Sequence, residues 1–154
     1  NILLISILFI SFATLIAAFI IQYGLGHQPC KLCIYQRIPY ILSIFLIIEL
    51  IFFKRNEKTT LLLLSLIFII SVILAFYHFG IEQGFFTESF VCESANFSET
   101  LTKDQLLEQL KQNIISCKDV SFKVLGLSLA SINVIFSLVL SVIFLKLFLN
   151  YGKN

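Results

Sequence analysis

Four apolar runs, each of roughly 20 residues or more, fill most of this 154-residue chain: about Ile2 to Ile21, Ile34 to Phe53, Thr59 to Phe79 and Val124 to Leu149. At a rise of about 1.5 Å per residue such a run crosses a hydrocarbon core of about 30 Å. Lipid offers no partner to a backbone N–H or C=O, so helices are the natural way to span it. The runs predict an all-α membrane protein: one domain over residues 1–154, a four-transmembrane-helix bundle. A mean hydropathy of +0.97 and only 13% charged residues argue against a soluble domain. The first run is too long for a secretory signal and has neither a basic n-region nor a clear cleavage site, so it reads as a helix. The chain begins at Asn1 and contains no Met, which leaves room for a short basic leader ahead of it.

Charge then sets the expected orientation. Lys54, Arg55 and Lys58 crowd the second connection, and Lys146 and Lys153 mark the C-terminal end. By the positive-inside rule these segments, and with them both termini, are cytoplasmic. Between Gly80 and Lys123 four Lys face seven acidic residues, no barrier to translocation. Loops of about 22–33 and 80–123 are therefore outside, in the periplasm or its equivalent. With no Trp in the chain, Tyr23, Tyr35, Tyr40, Tyr77 and Tyr151 near the run ends supply the interfacial rings. Within the long outer loop, Thr102-Lys103-Asp104-Gln105 reads as a capping box, followed by Leu106, Leu107, Leu110, Ile114 and Ile115 at helical spacing. A short amphipathic helix is expected there, lying on the membrane or packed on the outer end of the bundle. Inside the spans, Glu49 is expected to reach the inner interface. Gly126 and Ala130 form a small-x-x-x-small pair, and Asn133 suits an interhelical hydrogen bond.

All four cysteines fall in or beside the outer segments, where disulfides persist: Cys30 and Cys33 before the second run, Cys92 and Cys117 in the long loop. A C-x-x-C pair can attach haem, bind zinc or exchange electrons. Ile34 stands where haem attachment needs His. His27, Cys30 and Cys33 are spaced like three zinc ligands, but zinc sites usually bring ligands as two compact pairs, and Cys92 and Cys117 are isolated; no metal is expected. A purely structural bridge gains little from so small a ring. If Cys30 to Arg37 opens a helix, Cys30, Cys33 and Arg37 stand at i, i+3 and i+7 on one face, where the guanidinium and the helix dipole favour a thiolate. An Arg inside hydrocarbon costs about 2.5–3.5 kcal/mol on insertion scales, so something should face it: a thiolate, a lipid head group or the carbonyl of an electron acceptor. No nicotinamide, flavin, P-loop or Ser-His-Asp pattern is present, and no nucleic-acid partner is expected. Thiol electrons at this membrane call for a lipid-soluble acceptor, and a quinone is the obvious candidate.

At these residues the chain resembles the DsbB family of bacterial inner-membrane proteins. The resemblance rests on Pro29-Cys30-x-x-Cys33-Ile34-Tyr35-Gln36-Arg37, a paired-cysteine loop, Leu125-Gly126-Leu127-Ser128, and Tyr77-His78-Phe79-Gly80-Ile81-Glu82-Gln83-Gly84. Gln36 departs from the Glu of many members. DsbA, DsbB and quinone are the known system that keeps the bacterial periplasm oxidising. The resemblance implies a disulfide-generating oxidoreductase in the inner membrane. Ubiquinone or menaquinone would reoxidise Cys30 and Cys33, these would reoxidise Cys92 and Cys117, and that pair would oxidise a DsbA-like thioredoxin-fold partner. It further implies that Cys92 takes the mixed disulfide, Cys30 exchanges with Cys117, and Cys33 faces the quinone with Arg37 beside it. His78 either helps to place quinone or hydrogen-bonds at the end of its helix; Glu82, one turn on, shares its side if that helix extends so far. Two rivals remain: a non-catalytic scaffold braced by two disulfides, and a relative of vitamin K epoxide reductase, disfavoured because there the C-x-x-C lies on a late helix.

Overall fold

The computed structural model describes residues 2–53, 56–87, 117–118, 123–124 and 126–151. Among them are four helices long and apolar enough to cross a membrane, spanning Ile2–Gly24, Lys31–Phe52, Glu57–Glu82 and Leu129–Asn150. The four-span, all-α expectation holds. The amphipathic helix expected over 102–115 and the residues Lys54, Arg55, Cys92 and Lys153 lie outside the described residues.

Helix α1 (Ile2–Phe19) runs on into a π-helical turn, Ile20–Gly24. The second span is two helices, α2 (Lys31–Tyr35) and α3 (Arg37–Phe52), broken at Gln36. Pro39 explains the break. A proline ring clashes with the carbonyl four residues back, here that of Tyr35, and lacks an N–H to give it. Starting α3 at Arg37 puts Pro39 in its first turn, where that N–H is not needed. Helix α4 (Glu57–Glu82) follows Asn56, whose φ of 56° is left-handed. Asn is among the few side chains that visit this region readily.

The fourth span starts later than its apolar run suggests. Lys123–Val124 (β1) and Leu127–Ser128 (β2) pair antiparallel, Lys123 against Ser128 and Val124 against Leu127. Gly126, at φ +84°, occupies the turn between them, which a side-chain-bearing residue would strain. Helix α5 (Leu129–Asn150) begins only then, capped by Ser128 Oγ, which accepts the N–H of Ser131 at 3.2 Å. Gly126 is therefore not helical and forms no packing motif with Ala130, although Ala130 itself is buried.

Helices α4 and α5 make the longest contact, and their buried side chains include many small ones: Ser65, Ser71 and Ala75 on α4, Ala130, Ser137 and Ser141 on α5. Small residues let backbones approach in lipid, where apolar burial alone gives little drive to associate. At the centre, Phe68 stacks on Phe144 with ring centroids 5.6 Å apart, and Tyr40 meets Phe68 edge-on at 5.8 Å. Large side chains such as Phe9, Phe12, Phe45 and Phe76 remain exposed on the outside, as a lipid-facing surface requires. Glu49 is exposed near the end of α3, consistent with reaching the interface.

Candidate active site

Cys30 ends an extended stretch and caps α2, its Sγ accepting the N–H of Cys33 at 3.2 Å. A helix N-terminus favours a negative group in this position. The sulfur atoms of Cys30 and Cys33 are 2.7 Å apart and both residues are free cysteines. His78 approaches from α4, with Nε2 3.5 Å from Cys30 Sγ. Cys30 and His78 are both buried. The hydrogen bond from Cys33 foremost, then the hydrogen bond of His78, outweigh burial and hold the Cys30 thiol at about 5, below the ordinary 9.0. Cys30 is thus set up as a thiolate, the nucleophilic form.

By reach alone Cys30, Cys33 and His78 could gather around a metal, since their ligand atoms lie within 4.8 Å of one another. The sulfur spacing does not suit it. Two thiolates at about 2.3 Å from a tetrahedral zinc would sit roughly 3.8 Å from each other, whereas these stand at 2.7 Å. The arrangement suits a pair that makes and breaks an S–S bond.

Cys117 comes to the same place. It is disulfide-bonded and fully buried, packing with Cys30, Leu32 and Ile81, while Cys33 and Tyr77 flank the cluster. Its backbone also meets the His78 ring. Cysteines 87 positions apart in sequence therefore share one end of the bundle. Tyr77 stacks on Phe86, centroids 5.7 Å apart, and Phe86 closes over Gly80 so tightly that a Cβ there would run into its ring.

Arg37 behaves differently from expectation. Its Nη1 donates to Gln22 Oε1 at 2.7 Å and its guanidinium lies 5.0 Å from the centroid of the Phe19 ring. One of its donors is taken at the end of α1, and the groups that shift Cys30 are Cys33 and His78.

Behind His78 a line of polar side chains descends between the helices. Gln36 Nε2 lies 3.1 Å from His78 Nδ1, and Gln36 Oε1 accepts from Asn133 Nδ2 at 3.1 Å. Asn133 Oδ1 accepts from the Tyr40 hydroxyl at 2.5 Å and from Ser137 Oγ at 3.1 Å; Ser137 Oγ is 2.9 Å from Ser71 Oγ. Helix α4 does extend to Glu82, whose Oε1 is 3.7 Å from His78 Nε2, with both side chains buried.

Of the residues singled out from sequence, the structure brings Cys30, Cys33, His78 and Cys117 together, sets Arg37 toward α1, and leaves Cys92 outside the described residues. Sequence reasoning missed Gln36 as a contact of His78 and Gln22 as the partner of Arg37. Both carried one signal: a lone amide at the edge of an apolar run.

The family described as "Disulfide bond formation protein DsbB" matches residues 1–147. The chain belongs to the DsbB family. A relative, the uncharacterized protein RP370 of Rickettsia prowazekii (strain Madrid E), is 33% identical over 156 residues, covering 100% of this chain and 88% of that protein. DsbB membership makes this a multi-pass membrane protein of disulfide-bond formation.

Proposed function

We propose that this protein is a thiol:quinone oxidoreductase of the bacterial inner membrane that generates disulfides for a DsbA-like thioredoxin-fold partner. The observation that carries the reading is the free sulfur pair of Cys30 and Cys33, 2.7 Å apart, packed beside disulfide-bonded Cys117. In this reading, Cys92 and Cys117 lose their disulfide to the reduced partner and regain it from the Cys30–Cys33 disulfide. One S–S bond is broken for each one formed. Exchange requires a thiolate aligned on a disulfide sulfur; Cys117 packs against Cys30, the sulfur it would attack, and the lowered pKa of Cys30 makes it a good leaving group when the Cys92–Cys117 bond re-forms.

Closing the Cys30 thiolate and the Cys33 thiol into a disulfide releases two electrons and one proton, and a quinone in the membrane is the acceptor that takes them, with a second proton drawn from water. The residues fit such an acceptor. Arg37 carries five N–H donors and directs one at Gln22, and Phe19 provides an aromatic wall beside it. These would hold a polar carbonyl at the edge of hydrocarbon. Positive-inside charge further supports periplasmic cysteines and cytoplasmic termini. The test is direct: purified protein, reduced thioredoxin-fold partner and quinone should give quinone reduction that vanishes in Cys30→Ser and Cys33→Ser. No reduction by the parent protein would overturn the reading.

A further inference from the structure

The polar contacts behind His78 run in one direction. The Tyr40 and Ser137 hydroxyls both donate to Asn133 Oδ1, so the Asn133 amide N–H is what meets Gln36, at 3.1 Å from its Oε1. With its oxygen occupied, Gln36 presents its NH2 to His78 Nδ1 at 3.1 Å and to the Leu74 carbonyl at 3.5 Å. An amide N–H only donates. Nδ1 is therefore the acceptor, and a neutral His78 ring carries its one proton on Nε2. That is the atom facing Cys30 Sγ at 3.5 Å.

The titratable groups facing Cys30 are Cys33 from α2 and His78 from α4, with Glu82 one turn beyond. Glu82 Oε1 lies 3.7 Å from Nε2, too far for a hydrogen bond, and its buried Oε2 has no hydrogen-bond partner among the described residues. Cys117 faces the site too, but as a disulfide it does not titrate.

We propose that Gln36 and Asn133 are positioning residues: together they hold His78 in the tautomer whose Nε2–H points at the Cys30 sulfur and so keep that sulfur a thiolate. No covalent bond changes in this step; one N–H donates to one sulfur. Were the Gln36 amide free to turn over, its oxygen would face Nδ1 and draw the ring proton there. A bare Nε2 lone pair would then oppose the sulfur, and Cys30 would have to keep its own proton. The proposal rests on the reading of Cys30 as a reactive thiol, but it concerns a protonation state that needs neither quinone nor partner.

The experiment follows Cys30 alkylation by iodoacetamide against pH in full-length protein carrying Cys33→Ser, Cys92→Ser and Cys117→Ser. Gln36→Leu, Asn133→Leu and His78→Phe should each raise the midpoint by about one unit or more, slowing alkylation at the parent midpoint at least about fivefold. In a His78→Phe background, Asn133→Leu should add nothing, because it acts through the ring. An equal rise with and without His78, or no rise in Gln36→Leu and Asn133→Leu, overturns the proposal. A measurement on the otherwise unaltered chain guards against misfolding of these variants: 15N-histidine labelling of a His27→Gln protein should report bare Nδ1 and protonated Nε2 at His78, and the opposite tautomer overturns it. Absence of quinone reduction would sink the proposed activity and leave these outcomes unchanged.

Discussion

The lowered pKa of Cys30 makes a prediction that a single rate measurement would miss. Consider the triple-Ser protein above, with Cys30 as its lone thiol, reacting with a neutral small disulfide such as hydroxyethyl disulfide. The Cys33→Ser substitution keeps a hydroxyl donor where the thiol stood. With Cys33 in place the Cys30 pKa is about 5 rather than 9.0; if the Ser hydroxyl donates as the Cys33 thiol does, Cys30 in this protein is about 99% thiolate at pH 7, against about 1% for an ordinary thiol. That hundredfold gain is offset, because nucleophilicity falls with pKa at a Brønsted slope of about 0.4–0.5, roughly 40- to 100-fold over four units. At pH 7 Cys30 should therefore exchange at nearly the rate of an unperturbed thiol. The difference lies in the profile. At pH 6 the thiolate ratio is about 900, so Cys30 should be roughly 10- to 20-fold faster than the reference, and its rate should be flat from about pH 6 upward. Stopped-flow or mass-spectrometric rates between pH 4 and 9 test this. A rate climbing tenfold per pH unit from 6 to 8 would refute the assigned thiolate and with it the role of His78.

Stability of the reduced protein should share this window. The folded pKa of Cys30 lies below the unfolded one, so the thiolate contributes fully above about pH 9 and its contribution is lost as pH falls toward about 5. The gap in denaturation midpoint between the parent and Cys30→Ala should narrow over that range. Phe144→Ala should cost about 2 kcal/mol by detergent-denaturant titration, mainly the cavity part of such a change, since lipid solvates the exposed ring almost as well as the core does. Gly80→Ala should cost about 1–3 kcal/mol through the clash with Phe86, and Phe86→Ala in the same chain should restore most of it. Phe19→Ala removes the ring under Arg37; at about 0.5–2 kcal/mol for a cation–π contact it should raise the quinone KM roughly 2- to 30-fold with kcat little changed.

The four spans were legible because lipid demands a minimum apolar length whatever else the residues do. Their ends were less so. The start of α2 depends on a Cys acting as helix cap, an unusual choice, and its end on Pro39, whose effect falls four residues upstream. The late start of α5 came from Gly126, where a positive φ lets the chain fold back so that β1 and β2 pair ahead of the helix. At the site, Cys30 with Cys33 was readable from spacing alone. His78 lies 48 positions from Cys30, and nothing local in sequence announces that contact; it arises from how α2 and α4 pack. Asn133 was readable as an interhelical hydrogen-bonder, but its partners, Gln36 and Tyr40, were fixed only by the placement of α3 against α5.

The line of hydroxyls and amides from Ser71 through Ser137, Tyr40, Asn133 and Gln36 also solves a problem of alignment. Helices α4 and α5 are coated with Leu, Ile and Phe, and in lipid one such face is nearly as good as another. Sliding α5 by one residue shifts it about 1.5 Å and turns it by about 100°, which would part Ser137 from Ser71 and Asn133 from both Gln36 and Tyr40, and would carry Phe144 off Phe68 too. These few polar atoms, with that ring pair, therefore act as the key that selects one seating among many similar ones, so the protein has its helices in the correct register only when His78 is also anchored behind the sulfur pair.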